Sequence, residues 1–168
     1  MTDIRLLKES DAAAFFQLRL EGLRLVPTAF GGDYIDELKK GTGPYDSILE
    51  AQSPESLIFG TFDGGALIGC IGIFRQTGAK ARHKSIIWGM YLKTSYQGQG
   101  IGKRLLMAAI QHARTLPGVI NIHLSAESTN HSAIGLYKKL GFVNWGTEPQ
   151  ALFIDGQYYD EDQMILVL

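Results

Sequence analysis

The segment YLKTSYQGQGIGKRLL, residues 91–106, holds the residue pattern with the most chemistry in it. Gly98, Gly100 and Gly102 alternate between an apolar run and a helix-patterned run. Glycines here let a backbone approach a ligand closely. A helix N-terminus leaves its first amides unpaired and carries a partial positive charge. Together these features make an anion site, usually for phosphate. Two common phosphate loops do not fit. The dinucleotide fingerprint G-x-G-x-x-G would need glycine at Lys103 or at Leu105. The Walker loop would need glycine at Gln97 and Ser or Thr at Arg104. No G-x-S-x-G nucleophile elbow exists. The histidines His83, His112, His123 and His131 show no metal-ligand spacing, and the single cysteine, Cys70, excludes an intramolecular disulfide and a multi-cysteine zinc site, so no metal is expected.

The elements that must carry this loop are readable from periodicity. IRLL (4–7) reads as a strand, and Ser10 is placed to cap a helix over 11–24 with Ala12, Phe15, Phe16, Leu20 and Leu23 on its apolar face. Residues 26–54 give only weak helical signals, near 33–40 and 45–52, between Gly and Pro breakers. LIFGTF (57–62) and ALIGCIGIF (66–74) flank Asp63-Gly64-Gly65, a hairpin signal. SIIWGMYLK (85–93) is a third strand, and Cys70 falls in the middle of the second as a buried packing residue. A helix over 100–116 ends at Pro117-Gly118, a strand follows at 119–126, and a short helix at 130–140 has Gly141 where a left-handed cap belongs. The last residues form a hairpin around Asp155-Gly156. This order gives a mixed α/β sheet, antiparallel at first, with one strand–helix–strand unit.

Chain-wide numbers bound the function. With 168 residues, the chain is expected to form a single domain over 1–168. A net charge of −1 argues against a general nucleic-acid binder. No apolar run approaches the ~18 residues of a membrane span, and the N-terminus lacks a signal-peptide core, so the expected address is the cytoplasm, away from membranes. Twenty glycines are about 12% of the chain, well above the usual ~7%.

The pattern Q/R-x-x-G-x-G/A at Gln97, Gly100 and Gly102 resembles the pyrophosphate signature of the GNAT superfamily of acyl-CoA N-acyltransferases. STNHSAIGLYKKLGFVNWG (128–146) resembles that superfamily's second motif at Asn130, Ala133, Ile134, Leu136, Tyr137, Lys139, Gly141 and Phe142. The two motifs stand in order, some thirty residues apart with one strand between, and the resemblance runs from about residue 56 to the end.

The resemblance implies a GNAT-like α/β (α+β) fold. Its mostly antiparallel sheet would have six to seven strands and a splayed central parallel pair, flanked by about four helices. Acetyl-CoA, the acyl-donor cosubstrate, would lie in the splay. Met90, Tyr91 and Leu92 would pair with its pantetheine arm, and amides from Gln97 through Gly98, Gln99, Gly100, Ile101 and Gly102 to Lys103 would bind its pyrophosphate. Asn130, Ala133 and Tyr137 would line the arm, with Lys138 or Lys139 near the nucleotide. Gln97 stands where arginine is commoner, which removes charge but keeps the backbone site. Tyr137 is the expected proton donor to the departing sulfur, since a tyrosine at a pKa near ~10 is protonated at neutral pH while a thiol leaves at ~8.5.

The base is open. Some relatives carry a glutamate on the strand before the loop, but Ile86 stands there. Glu127 is the leading candidate. His83, Asp160, Glu161 and a chain of waters are the others. The acceptor, a small-molecule or peptide amine, would enter between residues 22–45 and the final hairpin, lined by Glu21, Tyr34, Trp88, Tyr159 and Asp160, with Tyr158 and Glu161 nearby. A mix of carboxylates and aromatics suits a cationic amine. Homodimers are common in the family, and the final hairpin is the expected contact. The reading is thus an N-acetyltransferase working by direct attack in a ternary complex. A non-catalytic acyl-CoA-binding regulatory module is the alternative, and a binder of some other phosphate ligand is a third.

Overall fold

The computed structural model describes residues 2–168. The chain forms β1 (Asp3–Leu6), α1 (Ala12–Leu25), α2 (Tyr34–Lys40), α3 (Gly43–Ala51), β2 (Ser56–Asp63), β3 (Ala66–Arg75), β4 (Lys84–Leu92), α4 (Ile101–Thr115), β5 (Asn121–Glu127), α5 (His131–Lys139), β6 (Val143–Ile154) and β7 (Gln157–Val167). One seven-stranded sheet runs in the order β1-β2-β3-β4-β5-β7-β6. Every neighbouring pair is antiparallel except β4–β5, which is parallel.

Side chains on a strand alternate between faces, and both faces of this sheet are covered. Leu57, Ile71, Ile73, Ile122, Leu124 and Met164 turn toward α4 and α5 and pack on Leu105, Leu106 and Ala109, each fully buried. Their strand neighbours Ile58, Cys70 and Tyr91 turn the other way, onto Phe15, Leu18 and Leu23 of α1 and Leu49 of α3. Truncating a side chain as enclosed as Leu105 costs about 2–5 kcal/mol.

Three local features differ from the sequence reading. The helix after β1 is not capped by Ser10. A single 3₁₀ turn over Glu9–Asp11 precedes it, and the Asp11 carboxylate accepts the Lys8 N–H at 2.8 Å while Arg5 grips both its oxygens at 2.7 and 2.9 Å. The weak 26–54 stretch resolves into two short helices, which makes five among the described residues. Asp33 caps α2 through the N–H groups of Ile35 and Asp36. The last hairpin is longer than its turn signal, because β6 begins at Val143. An irregular register between Glu148 and Leu152 breaks the alternation there and hides the strand from a periodicity reading.

Candidate functional site

The central feature is a split between the two parallel strands. β4 and β5 pair only at Lys84–Asn121, Ser85–Ile122 and Ile86–His123. Beyond that, the edge of β4 from residue 87 to 92 that faces β5 has no strand partner, while its other edge stays paired to β3. The cause is local. Between Cys70 and Gly72 on β3 the register shifts, so that Trp88 faces Gly72 and Tyr91 faces Cys70, with an extra residue on β4. Gly89 takes up that extra residue at φ +61°, a left-handed conformation that a β-branched or bulky residue adopts only under strain. Met90, Tyr91 and Leu92 therefore present backbone groups to the split.

The glycine loop follows. Gly98 and Gly100 adopt φ of +74° and +76°, and Gly100 is the residue from which α4 starts. No side chain caps that start, so the first amides of α4, from Ile101 to Lys103, are free to receive an anion. The Gln97 side chain donates to the Leu92 carbonyl at 3.0 Å, and Gln99 donates to the Ser95 carbonyl at 3.1 Å. These two glutamines pin the loop to the strand end. Lys103 is exposed beside it.

The third side of the split is α5. Asn130 caps it, accepting the Ala133 N–H at 3.1 Å. Gly141, at φ +95°, ends it, and the Phe142 N–H returns to the Tyr137 carbonyl at 3.1 Å. Lys138 and Lys139 are exposed on the last turn. Tyr137 is buried, and its hydroxyl reaches Met90 Sδ at 3.9 Å. A thioether is a weak acceptor, so the hydroxyl is ready to donate to a stronger one. Burial pushes its pKa up to about 12. A Cβ at Gly102 would sit 3.5 Å from Met90 and 3.6 Å from Leu136. Strand β4, the start of α4 and the inner face of α5 thus converge on one spot.

Acidic side chains crowd the far end of β5. Glu127, Glu161 and Glu148 stand in register across β5, β7 and β6, and so share a face. Glu127 is buried and accepts the Thr129 N–H at 2.9 Å and its hydroxyl at 2.8 Å. Asp160 accepts the Gln150 N–H at 2.7 Å, and Asp162 accepts the hydroxyls of Ser128 and Thr147 at 2.9 and 2.8 Å. Those three acids hold turns and bulges. Glu161 makes no side-chain hydrogen bond of the same kind among the described residues, with the Ser125 hydroxyl as a nearby polar group. Burial, together with the charges of Glu148 and Glu127, raises its proton affinity above the usual carboxylate range. His83 lies ahead of β4, at the end of the strand away from the split.

On the α1 side, the region between residues 27–34 and the end of β6 encloses a cavity of about 580 Å³, bounded by Phe30, Gly32, Tyr34, Leu152 and Phe153 among others. That volume suits a small organic ligand. Tyr34 also borders a smaller cavity of about 240 Å³ with Glu21 and Lys93. Glu21 is already engaged there. It accepts the Tyr91 hydroxyl at 3.0 Å and pairs with Lys93 at 3.5 Å. Burial and this bond push the Tyr91 pKa up to about 12. Trp88 stacks on Tyr45 with ring centroids 6.1 Å apart. The Tyr159 hydroxyl donates to Gln157 on its own strand at 2.9 Å, and Tyr158 is exposed against Phe153.

The residues that sequence reasoning passed over are Arg19 and Glu37. Arg19 is only 9% exposed and Glu37 only 6%. Arg19 Nε donates to Glu37 Oε2 at 3.2 Å, and the Tyr45 hydroxyl donates to the same oxygen at 2.5 Å. The signal was present: Arg19 lies four residues after Phe15 and four before Leu23, squarely on the apolar stripe of α1. Among the described residues, no group of His, Cys, Asp and Glu is arranged to hold a metal, and no helix is long and apolar enough to cross a membrane.

Comparison with known proteins agrees with this geometry. The family model described as Acetyltransferase (GNAT) family matches residues 28–142, more than half of the chain. The N-alpha-acetyltransferase RimI of Mycobacterium tuberculosis is 32% identical over 107 residues, covering 64% of this chain and 65% of that protein. The spermidine N(1)-acetyltransferase of Vibrio cholerae is 28% identical over 85 residues, and the chain spans about half of its length (49%) and aligns over 51% of its own. Among solved structures, a GNAT-family acetyltransferase from Streptococcus pneumoniae superposes with a TM-score of 0.83 at 22% identity, with 100% of both chains covered. The structure of yncA from Salmonella typhimurium with its cofactor acetyl-CoA gives 0.84 at 22%, covering 100% of this chain and 94% of that one.

Proposed function

The chain belongs to the GNAT acetyltransferase family, and from that premise we propose that it moves the acetyl group of acetyl-CoA onto a primary amine of a small molecule or peptide. The carrying observation is the split at Gly89, where an unpaired strand edge, an uncapped helix start and the Tyr137 hydroxyl meet.

In this reading acetyl-CoA lies in the split, its pantetheine amides pairing with Met90 to Leu92 and its pyrophosphate on the amides from Gln97 to Lys103. Asn130 and Ala133 flank the arm, and Lys139 stands near the nucleotide. The acceptor arrives from the α1 side, past Tyr34 and Trp88, with Glu21, Tyr159 and Asp160 farther out, and it must shed one proton to become a nucleophile. The paired carboxylates Glu127 and Glu161 at the end of β5 take that proton. Glu161 is the better acceptor of the two, because Thr129 holds both Glu127 oxygens. The amine nitrogen then bonds to the thioester carbon, the carbon–sulfur bond breaks, and the second amine proton ends on the sulfur. Tyr137, raised to about 12, is more than ~10³-fold weaker an acid than a free thiol. It therefore works as a hydrogen-bond donor to the sulfur and passes a proton on only as it receives one. Cys70 does not carry the acyl group. It is buried, its thiol pushed up to about 12 by desolvation, and it points at the Gly89 carbonyl 3.5 Å away.

The test is calorimetric titration with acetyl-CoA, with ATP and NAD as controls, followed by an amine panel with free-thiol detection. Binding of acetyl-CoA alone, then amine-dependent thiol release, is the expected result. Binding with no thiol release from any amine would leave a non-catalytic acyl-CoA module. No binding would remove the reading altogether.

A further inference from the structure

Arg19 stands between the acceptor-side cavity and the bulge of β4. A Cβ at Gly89 would lie 3.2 Å from Arg19 Nη1, and a Cβ at Gly32 would lie 3.3 Å from Nη2. Gly32 and Phe30 are also walls of the 580 Å³ cavity. The guanidinium is held from behind. Its carbon lies 5.6 Å from the Phe30 ring centre, 5.4 Å from Tyr45 and 5.6 Å from Trp88, and Nε is bonded to Glu37. Three aromatic faces and one carboxylate fix its plane. Nη1 and Nη2, by contrast, make no hydrogen bond among the described residues. Nor are they sealed off: the sealed, unpartnered polar side-chain atoms belong to Thr61, Ser85, Asn121 and His123.

The local charge is not balanced either. Glu37 is shared between Arg19 and Lys40, whose nitrogen lies 3.9 Å away. One carboxylate thus serves two cations. A buried ion pair is a weak source of stability, since desolvation offsets most of the attraction. An arginine with its fork pre-aimed is, however, well suited to hold a carboxylate bidentately.

Resting on the proposed reaction, we propose that Arg19 anchors the acceptor through a carboxylate, so that the preferred amines are free α-amino acids. Nη1 adjoins the bulge of β4, and with the thioester lying along the split as proposed, the anchored anion and the attacking nitrogen would be separated by only a few bonds. An α-amino acid meets that limit. A peptide N-terminus lacks the nearby carboxylate, and a polyamine would bring a second cation against the guanidinium. In this arrangement the acid end would meet Arg19 and leave the amino end toward the split.

The experiment measures kcat/KM of the wild-type protein with acetyl-CoA and matched sets of acceptors. Methionine, phenylalanine and ornithine are each compared with the amino-acid amide and with the amine lacking the carboxyl group, and spermidine is added. The free acids are expected to exceed their partners at least tenfold, about 1.4 kcal/mol. Arg19→Lys keeps a cation beside Glu37 but loses the fork, and should shrink that ratio severalfold while leaving the Kd for acetyl-CoA in place. Equal turnover of acid, amide and bare amine, or a preference for spermidine, overturns the inference while the acetyltransferase reading stands. Thiol release that does not depend on an added amine, or no release with any amine, overturns both.

Discussion

The two sides of the split are built from different materials. On the side of α4 and α5, the residues proposed to meet the cofactor work mostly through their backbone: a free strand edge, left-handed glycines and uncapped amides. On the side of α1 to α3, side chains from distant positions do the work: Arg19, Glu37, Tyr45 and Trp88 close on one another across 69 positions of sequence, from 19 to 88. A backbone site demands particular residues at fixed short spacing. A side-chain site demands only that the fold bring the right groups together.

The sharpest way to break this comparison is Tyr137→Phe, because Tyr137 is the one side chain that the backbone-built side cannot replace. Its loss should lower kcat by about 10²–10⁴-fold and leave the acetyl-CoA Kd unchanged by calorimetry. An equal fall in affinity would mean that the hydroxyl holds the cofactor rather than the leaving sulfur.

Glu161→Gln comes next. The variant should lose about 10²-fold in kcat/KM. It should also melt higher at neutral pH. Burial and the neighbouring Glu148 and Glu127 raise the folded-state pKa above the unfolded one, so the native protein loses stability as pH rises from the unfolded value through the raised one. An amide removes that penalty. A variant that is slower and no more stable would place Glu161 outside this strained cluster.

On the side-chain-built side, Tyr45→Phe strips a hydrogen bond from a buried carboxylate and should cost about 1.5–3 kcal/mol, read from denaturant unfolding. The pH dependence checks the same cluster. Burial alone would raise the Glu37 carboxyl, but the bonds from Tyr45 and Arg19, with the Arg19 and Lys40 charges, outweigh it and hold it below its usual range. Its contribution to stability is therefore complete above the unfolded pKa and is lost as pH falls through the lowered folded one. In Tyr45→Phe the folded pKa moves back up, so that acid-side loss should be smaller and should end at a higher pH.

The smallest effect is expected from Gly100→Ala. The position is open, so only the left-handed backbone resists, at about 1–2 kcal/mol. Acetyl-CoA affinity should fall up to ~10-fold with kcat nearly unchanged. A large loss of kcat would mean that this loop does more than bind.

The same contrast explains what could be read from the sequence. Strands β1 to β5, the 100–116 helix and the Asn130 and Gly141 caps were legible because each is set by periodicity or by one residue's conformational need. The two motifs that mark the family were legible for the same reason. The bulge was not: the sequence shows Trp88-Gly89-Met90, but only pairing against Cys70 and Gly72 reveals one residue too many. Glu127 reads as a candidate base, but its bonds to Thr129, two residues on, do not show in the sequence. Arg19 was readable only as a cation on an apolar stripe. Its aromatic cage comes from three other elements that no local pattern links to it.

Only three rungs join β4 to β5, so the hydrogen-bonded sheet has a seam there. One side carries β1 to β4, and the other carries β5 to β7. Without ligand, the amides along 87–92 that face the split should exchange with deuterium quickly, although they sit in the middle of a seven-stranded sheet. A bound cofactor would act as a splint across that seam. It would slow exchange on both flanking strands and raise the melting temperature by mass action, tying the folding cooperativity of the whole chain to a molecule that spans both halves.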